Sequence, residues 1–377
     1  METVARQQTA AAGRLYRVLA EDDGDNVFVS PFSIFTALTM VAAGADGDTA
    51  SQLSAALALP QDADSLHEGY NKVLEMLQSP PNVTLSTANK VYVQQSYKVL
   101  DSYTGLLQKQ YLSKLTSVDF ADNVGASKLI NGEVEAETGG KIKDLIKASD
   151  LDEYVRLVLV NAIYFKGSWK QKFDASETQE RDFFVTPGNP VKTPMMHMKG
   201  SKFNCGHIPE LSCKALEMPY EGDRFSMIVL LPDQQDGLKD LEEKLPSTCV
   251  RDIRGTLCNQ KAVIRVPKFK LETSYDLIKP LQKLGIKDLF DRNADLSKIS
   301  GNKELYVSKV IHKAFIEVNE EGAEAAAATA VAVRMKRCMP MMDAGPFEFT
   351  ADHPFHFVIF DRETGLTLFS GRYAKPV

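Results

Sequence analysis

One helix of this chain cannot lie on a protein surface. Residues 32–45 read FSIFTALTMVAAGA, and apolar side chains occupy nearly every side of the helix that this stretch predicts. Ser30 followed by Pro31 is typical of a helix start, and Gly44 is expected to act as the C-terminal cap. A helix that is apolar all round must be buried, so the chain needs a core large enough to enclose it.

The length and composition favour one large domain. The chain has 377 residues, and no Pro- or Ser-rich linker, charge block or change in composition divides it, so residues 1–377 are interpreted as a single domain. A formal net charge of −6 gives no reason to expect nucleic acid or an anionic membrane as partner. No apolar run reaches the roughly 18 residues that suggest a membrane span.

The order of the predicted elements indicates the fold class. Helical patterns recur near 64–78, 101–112 and 125–138, and strand-like stretches interleave at 89–95 and 155–167. Beyond these, the rest of the chain is largely strand-like. Helices followed by strands, without strict alternation, predict an α+β fold rather than a doubly wound parallel sheet.

Catalytic and metal-binding motifs are missing from the sequence. It has no G-x-S-x-G, P-loop or G-x-G-x-x-G pattern. The stretch HEGYN, 67–71, has Asn71 where a zinc-protease motif requires its second histidine, and His353 and His356 lack companions at metal-site spacing. We therefore predict no metal, no cofactor and no enzymatic activity.

The N-terminus, the cysteines and one sequon bear on the cellular compartment. METVARQQTAAAGRLYRVLA lacks the apolar stretch of a signal peptide and predicts an amphipathic helix, which favours a cytoplasmic protein if Met1 is the native start. Asn82-Val83-Thr84 is a candidate N-glycosylation site that matters only in the secretory pathway. The cysteines are odd in number and late in the chain, so they do not predict a disulfide framework: Cys205, Cys213, Cys249, Cys258 and Cys338.

The segment EEGAEAAAATAVAVRMKRCMP, residues 320–340, joins an alanine-rich half to a basic half. Its alanines alone favour a helix, whereas the Thr329–Val333 stretch and the preceding strand favour extended chain. The tetrapeptide Arg334-Met335-Lys336-Arg337 has the basic character that trypsin-like and proprotein-processing proteases recognise.

Several motifs, in order along essentially the whole chain, resemble the serpin family. The clearest are NVFVSPFSIFTALTMVAAGADGDTASQL (26–53), LVNAIYFKGSWKQKFD (159–174), VSKVIHKAFIEVNEEG (307–322) and DHPFHFVIFDRETGLTLFSGR (352–372). The resemblance implies an α+β serpin fold with three β-sheets, about eight or nine helices and an exposed reactive-centre loop at about 320–345.

The resemblance also implies a suicide-substrate inhibitor. A serine protease cuts the loop, forms an acyl-enzyme and is dragged across the inhibitor as the loop inserts into the central sheet. A segment that enters a packed sheet must bring small side chains. Strand alternation would send one set of them to the core face: Ala323, Ala325, Ala327, Thr329, Val331 and Val333. The alternative is a non-inhibitory serpin that acts as a chaperone or ligand carrier.

Further residues gain roles only by their position in the resemblance. Trp169 marks the breach, and the shutter, where the central sheet opens, comprises Ser30, Ser33, Asn161 and His312. Hydroxyl, amide and imidazole groups can exchange hydrogen bonds as strands part, although on sequence alone His312 is an ordinary strand histidine. The hinge comprises Glu320, Glu321, Gly322, Ala323, Glu324, Ala325, Ala326, Ala327 and Ala328.

Arg334, Lys336 and Arg337 are the expected protease-specificity residues. Their spacing fits furin-like convertases, while trypsin-like enzymes would accept Lys336 or Arg337 singly. We expect cleavage at Arg337–Cys338, with Lys336–Arg337 as the alternative that the usual family spacing offers. Convertases work in the secretory pathway, so a secretory or extracellular location is expected, and a cytoplasmic one is the alternative.

Heparin activation is not expected. Residues 64–79 offer only Lys72 and His67 against three acidic side chains, Asp64, Glu68 and Glu75. The expected partners are furin-like convertases and trypsin-like enzymes in covalent complex with a monomeric inhibitor.

Overall fold

A computed structural model describes residues 2–21, 25–78, 82–245, 249–322 and 345–376. Positions 323–344 lie outside the described residues, and with them most of the hinge, the basic tetrapeptide and Cys338. Within the described chain the helices are α1 Glu2–Leu19, α2 Pro31–Gly44, α3 Gly47–Leu57, α4 Ala63–Leu77, α5 Asp101–Tyr111, α6 Asn123–Glu137, α7 Leu238–Lys244, α8 Val250–Thr256, α9 Ile278–Lys283 and α10 Ser297–Ser300. None of these helices is both long and apolar enough to cross a membrane.

The strands follow the predicted change from a mainly helical to a mainly extended chain. They are β1 Val27–Val29, β2 Val83–Gln94, β3 Leu115–Val118, β4 Leu157–Gly167, β5 Gln179–Thr186, β6 Asn189–Ile208, β7 Cys213–Pro219, β8 Phe225–Pro232, β9 Cys258–Pro267, β10 Phe269–Asp276, β11 Val307–Val318, β12 Phe347–Thr350, β13 Phe355–Asp361 and β14 Thr367–Tyr373. One sheet has the order β10-β11-β4-β2-β3. The other has nine strands, in the order β1-β14-β13-β8-β7-β6-β9-β12, with β5 on β6.

The long strand β6 explains why hydrogen bonding joins the strands of the described chain into two sheets, where three were expected. Its first half pairs with β5 and β9, and its last residues pair with β7 as well. The register shifts between Lys199 and Lys202, beside Gly200 at φ +86°. Such an irregularity bends a strand, so β6 passes from one group of strands into the other without a break.

Helix α2 lies in the core, as its sequence predicts. Ser30 is its N-cap and accepts a hydrogen bond from the backbone N–H of Ser33, with Pro31 in the first turn. The predicted capping role of Gly44 is wrong, because the cap is Ala45 in extended conformation. A Cβ at Gly44 would collide with the side chain of Ile299, so the glycine permits close packing of α2 against α10.

Candidate functional site

The inner strands β4 and β11 of the five-stranded sheet run parallel. Their register aligns residues 159–165 with 310–316 and places Asn161 opposite His312. Strand β11 ends at Val318, and the chain continues from there toward the reactive-centre loop. A chain that turned back between these two strands would run antiparallel to both.

Residues 319–322, which follow β11, bind the segment that follows β4. The backbone N–H of Trp169 donates to the carbonyl of Glu321 at 3.1 Å, and its indole Nε1–H donates to the carbonyl of Asn319 at 2.9 Å. The Trp169 ring is buried and stacks on Tyr220 with centroids 4.4 Å apart. We call these contacts the breach, and they hold the start of the loop segment against the sheet.

Gly322 is the most constrained residue of the breach. Its φ of +84° lies in the left-handed region that favours glycine. A Cβ there would collide with the backbone nitrogen of Trp169 and lie 2.6 Å from the carbonyl oxygen of Gly167. The hinge glycine therefore allows both a turn and a close approach of two backbones.

The two hinge glutamates form ion pairs that differ in how deeply the carboxylate is buried. Glu320 is 8% exposed; its carboxylate accepts from the Thr178 hydroxyl at 2.8 Å and lies 3.0 Å from the Lys268 ammonium. Burial acts to raise the pKa of Glu320, but hydrogen bonds from its own backbone amide, Lys268 and Thr178 outweigh it and hold the pKa below its usual value. Glu321 pairs with Lys172 at 3.2 Å on the surface, with its side chain 54% exposed.

Ser30 links three of the four shutter residues, since it bonds to His312 and its hydroxyl also accepts from the backbone N–H of Ser33. The backbone N–H of Ser30 donates to Nε2 of His312 at 3.1 Å, and the Ser30 hydroxyl donates to the carbonyl of Leu368 at 2.7 Å. Burial lowers the pKa of His312 to about 3, so the ring is neutral at physiological pH. Because Nε2 accepts, the proton is on Nδ1, which is buried and has no partner among the described residues.

Asn161 lies at the centre of the same sheet without a hydrogen-bond partner for its side chain. Both amide atoms are buried and unpaired within the described chain, although Asn161 is in register with His312 on one side and Asn89 on the other. Asn89, which the sequence analysis missed, accepts from the hydroxyl of Ser33 at 2.6 Å. The alternation of strand 89–95 could have revealed it, because Asn89 shares a face with buried Val91.

The remaining predicted residues do not join this site. Asn82 is exposed at φ +62°, immediately before β2. The hinge alanines, Glu324, Arg334, Lys336, Arg337 and Cys338 all fall within 323–344. In the part of the chain that the structure describes, no three His, Cys, Asp or Glu side chains converge as a metal site would require.

Comparisons with known proteins identify the family. The model of the family described as "Serpin (serine protease inhibitor)" matches residues 6–376. This chain belongs to the serpin family. Relatives include the leukocyte elastase inhibitor of Bos taurus, 41% identical over 100% of both chains, and Iris of Ixodes ricinus, 44% identical over 93% of this chain and 92% of its own.

The solved serpins confirm the fold that the motifs predicted. Serpin48 of the insect Tenebrio molitor superimposes with a TM-score of 0.88 at 33% identity, covering 99% of this chain and 98% of its own. The α+β class and the serpin fold are therefore confirmed. The family description makes the general activity protease inhibition and leaves the target protease open.

Proposed function

We propose that this serpin is a suicide-substrate inhibitor of serine proteases with basic specificity, most of all furin-like convertases and trypsin-like enzymes. The protease cleaves the loop and forms an acyl-enzyme, and the loop then enters the central sheet between β4 and β11. The parallel pairing of these two strands carries the proposal, because the chain that leaves β11 turns at Gly322 immediately beside their shared end.

The geometry supplies a driving force for insertion. A strand between β4 and β11 would replace one parallel ladder by two antiparallel ladders, which are slightly more stable per residue. A net gain of about ten hydrogen bonds at ~1 kcal/mol each is on the order of 10 kcal/mol. That is comparable with the whole stability of a domain and is enough to deform the oxyanion hole and triad of an attached protease.

Unpaired polar atoms at the centre of the sheet support the same step. The amide of Asn161 and Nδ1 of His312 are buried without partners in the five-stranded arrangement, and such atoms are costly. A strand between β4 and β11 would separate Asn161 from His312, which now lie opposite each other, and so change the surroundings of these unpaired atoms.

Insertion of the hinge is tested by one substitution on each face of the inserting strand. Alternation directs Ala325 to the core and Ala326 to the surface. We expect Ala325→Arg to convert the inhibitor into a substrate, because an unpaired buried charge costs several kcal/mol, and Ala326→Arg to leave trapping intact. SDS-stable complexes with trypsin are the measurement. Equal trapping by both variants and the wild type would overturn the insertion step.

The basic specificity rests on Arg334, Lys336 and Arg337. A convertase whose pocket reads charge at several subsites gains from all three, each through charge-assisted contacts of ~1–3 kcal/mol. The bovine relative is named an elastase inhibitor, and that name describes the relative's target. For this chain the target is proposed from its own basic residues.

Incubation with furin and trypsin separates the candidate targets. Arg334→Ala should slow furin inhibition by roughly tenfold or more, since 1.4 kcal/mol corresponds to one decade, and should hardly change trypsin inhibition. Met335→Ala is the matched control and should change neither rate. Equal and small effects on both proteases would make the protein a plain trypsin-type inhibitor.

The scissile bond is identified by the released C-terminal fragment. Cleavage at Arg337–Cys338 gives a fragment that begins with Cys338, and cleavage at Lys336–Arg337 gives one that begins with Arg337. N-terminal sequencing distinguishes them.

The alternative function, a non-inhibitory carrier or chaperone, predicts cleavage without trapping. Cavity volume does not separate the two functions: the cavity between α1, α8, β13 and β14 has about 90 Å³, whereas the groove beside α4 and β2 has about 330 Å³, within the roughly 300–1,000 Å³ of pockets that enclose drug-sized ligands. A cleaved form that melts no higher than the intact one would favour the carrier or chaperone instead, because insertion should raise the melting temperature.

A secretory or extracellular location is part of the proposal, with a cytoplasmic location as the alternative. The exposure of Asn82 supports it, since a glycosyltransferase needs an accessible asparagine. The measurement is the mass of the protein isolated from its native source before and after amidase treatment. An unmodified Asn82 in that material would favour the cytoplasmic alternative.

A further inference from the structure

Two cysteines lie directly opposite each other on neighbouring antiparallel strands. The register of β6 and β9 pairs Cys205 with Cys258, in the short stretch where residues 202–205 pair with 258–261. Side chains of directly opposed residues point to the same face of a sheet. The two thiols therefore share one face.

The backbone spacing of such a pair suits a disulfide. Directly opposed residues in antiparallel strands have Cα atoms about 4.5 or 5.5 Å apart, depending on the hydrogen-bonding position. Disulfides join Cα atoms about 4.4–6.8 Å apart. Both kinds of pair fall within this range, so the bond needs only side-chain rotation and small shifts.

The surroundings of the two thiols differ. Cys205 is fully buried, and its thiol donates to the carbonyl of Phe203 at 3.6 Å. Burial is the main cause that raises the pKa of Cys205 to about 12, with a smaller contribution from the nearby Cys258. Cys258 is only partly buried, so an oxidant in solution reaches it first.

The other described cysteines are not arranged in this way. Cys213 lies opposite Ile208 on β6 and Pro232 on β8, and Cys249 precedes helix α8. Of the four cysteines that the structure describes, only Cys205 and Cys258 lie opposite another cysteine in a strand ladder.

We propose that Cys205 and Cys258 form a disulfide when the protein meets a small-molecule disulfide such as oxidised glutathione. The Cys258 thiolate attacks one sulfur of the oxidant and releases the first glutathione. Cys205, after losing its proton, attacks the Cys258 sulfur of the mixed disulfide and releases the second. Two protein thiols lose two electrons and two protons, and two glutathione thiols gain them.

The bond connects β6 to β9, and β9 also pairs with β12, which is the first strand described after residue 322. It closes a long stretch of chain, since the cysteines are far apart in sequence, and so restricts the unfolded ensemble. For a chain of this length we expect a rise in melting temperature of about 5 °C on oxidation. Protease trapping should be unchanged, because neither β4 nor β11 is involved.

Equilibration of the full-length protein with oxidised glutathione, followed by blocking of remaining thiols and peptide mass spectrometry, tests the proposal. Cys205 and Cys213 share the tryptic peptide 203–214, whereas Cys258 lies in peptide 255–261. Cys213→Ser therefore serves as the control variant, and in it the two peptides should still be joined and lose their link on reduction. Cys258→Ser should abolish the link together with the rise in melting temperature.

Two results would overturn the proposal. One is a wild-type protein that carries only glutathione adducts at equilibrium, without a bond between the two peptides. The other is a link that disappears in Cys213→Ser, since it would then involve Cys213 in place of Cys205. Neither result depends on the variants of the pair folding, because the wild type and the Cys213→Ser control decide both.

Discussion

One end and the middle of the pairing between β4 and β11 differ in how well their polar groups are paired. At the breach, the backbone of Trp169, the carboxylate of Glu320 and the turn at Gly322 all have partners. In the middle of the same strands, Asn161 and His312 keep buried polar atoms without partners. The sheet is thus held closed at one end and is incompletely paired at its centre, so the breach opposes opening and the centre favours the entry of another strand.

Gly322→Ala should have the largest effect on the breach. The left-handed conformation costs a non-glycine residue about 1–2 kcal/mol, and relief of the clash with Trp169 would break hydrogen bonds worth about 1 kcal/mol each. We expect the free energy of unfolding to fall by about 3 kcal/mol in urea denaturation. Gly132→Ala, on the exposed face of α6 with open space around it, is the control and should be neutral or slightly stabilising.

His312 should make the centre of the sheet sensitive to acid. An unfolded histidine titrates near 6.5, and the pKa of His312 in the folded protein is about 3. Below pH 6.5 the unfolded chain binds a proton that the folded chain does not, so stability falls with decreasing pH by about 1.4 kcal/mol per unit; above pH 6.5 this residue adds no pH dependence.

The measurement is the urea stability of the wild type and of His312→Gln, in which an amide oxygen can still accept from Ser30. Between pH 6.5 and 5 the wild type should lose about 2 kcal/mol more than the variant. Parallel losses in both proteins would mean that other groups cause the acid sensitivity.

Asn161→Leu should strengthen the five-stranded sheet. The substitution removes two buried, unpaired polar atoms at similar volume, and we expect a gain of about 1–2 kcal/mol in unfolding free energy. Ser33→Ala is the contrasting variant, because it removes the bond to Asn89 and should cost about 1 kcal/mol. A loss of stability in Asn161→Leu would show that the amide is satisfied in solution.

Substitutions of the two hinge glutamates should have the smallest effects on stability. Both remove one negative charge, so a difference between them reports how deeply each carboxylate is buried. Glu320→Gln weakens the pair between a mostly buried carboxylate and the half-exposed Lys268, and should cost about 1 kcal/mol. Glu321→Gln removes an exposed pair with Lys172 and should cost only a few tenths of a kcal/mol. If thermal unfolding shows equal losses of stability in the two variants, the burial of Glu320 does not make its ion pair stronger than that of Glu321.

Sequence patterns predicted those parts of the fold that depend on residues close to each other in the sequence. The start of α2 at Pro31, the positions of α4 to α6 and the strands β2 and β4 follow from side-chain periodicity and capping. Gly44 was misinterpreted because a capping glycine and a glycine that contacts another helix look alike in sequence. The contact with Ile299 depends on a segment more than 250 residues away.

The site was harder to predict because its contacts cross the sheet. Family resemblance indicated Ser30, Ser33, Asn161 and His312. Strand alternation could place Asn89 on the buried face, but its position opposite Asn161 follows only from the register between β2 and β4. The pair of Glu320 with Lys268 likewise joins β11's end to the chain between β9 and β10. Strand registers depend on the packing of whole sheets, and the spacing of residues along the sequence does not determine them.

The pairing of β1 with β14 has a consequence for synthesis on the ribosome. Val27 lies opposite Arg372, and Ser30 at the start of α2 bonds to Leu368. At about 5–20 residues per second, β14 is made roughly 20 to 70 seconds after β1. A nascent chain that stops short of β14 leaves β1 without its ladder partner and the apolar helix α2 without part of its cover. Until β14 is translated, the folding of β1 and α2 therefore cannot be completed, and part of the apolar surface of α2 stays exposed.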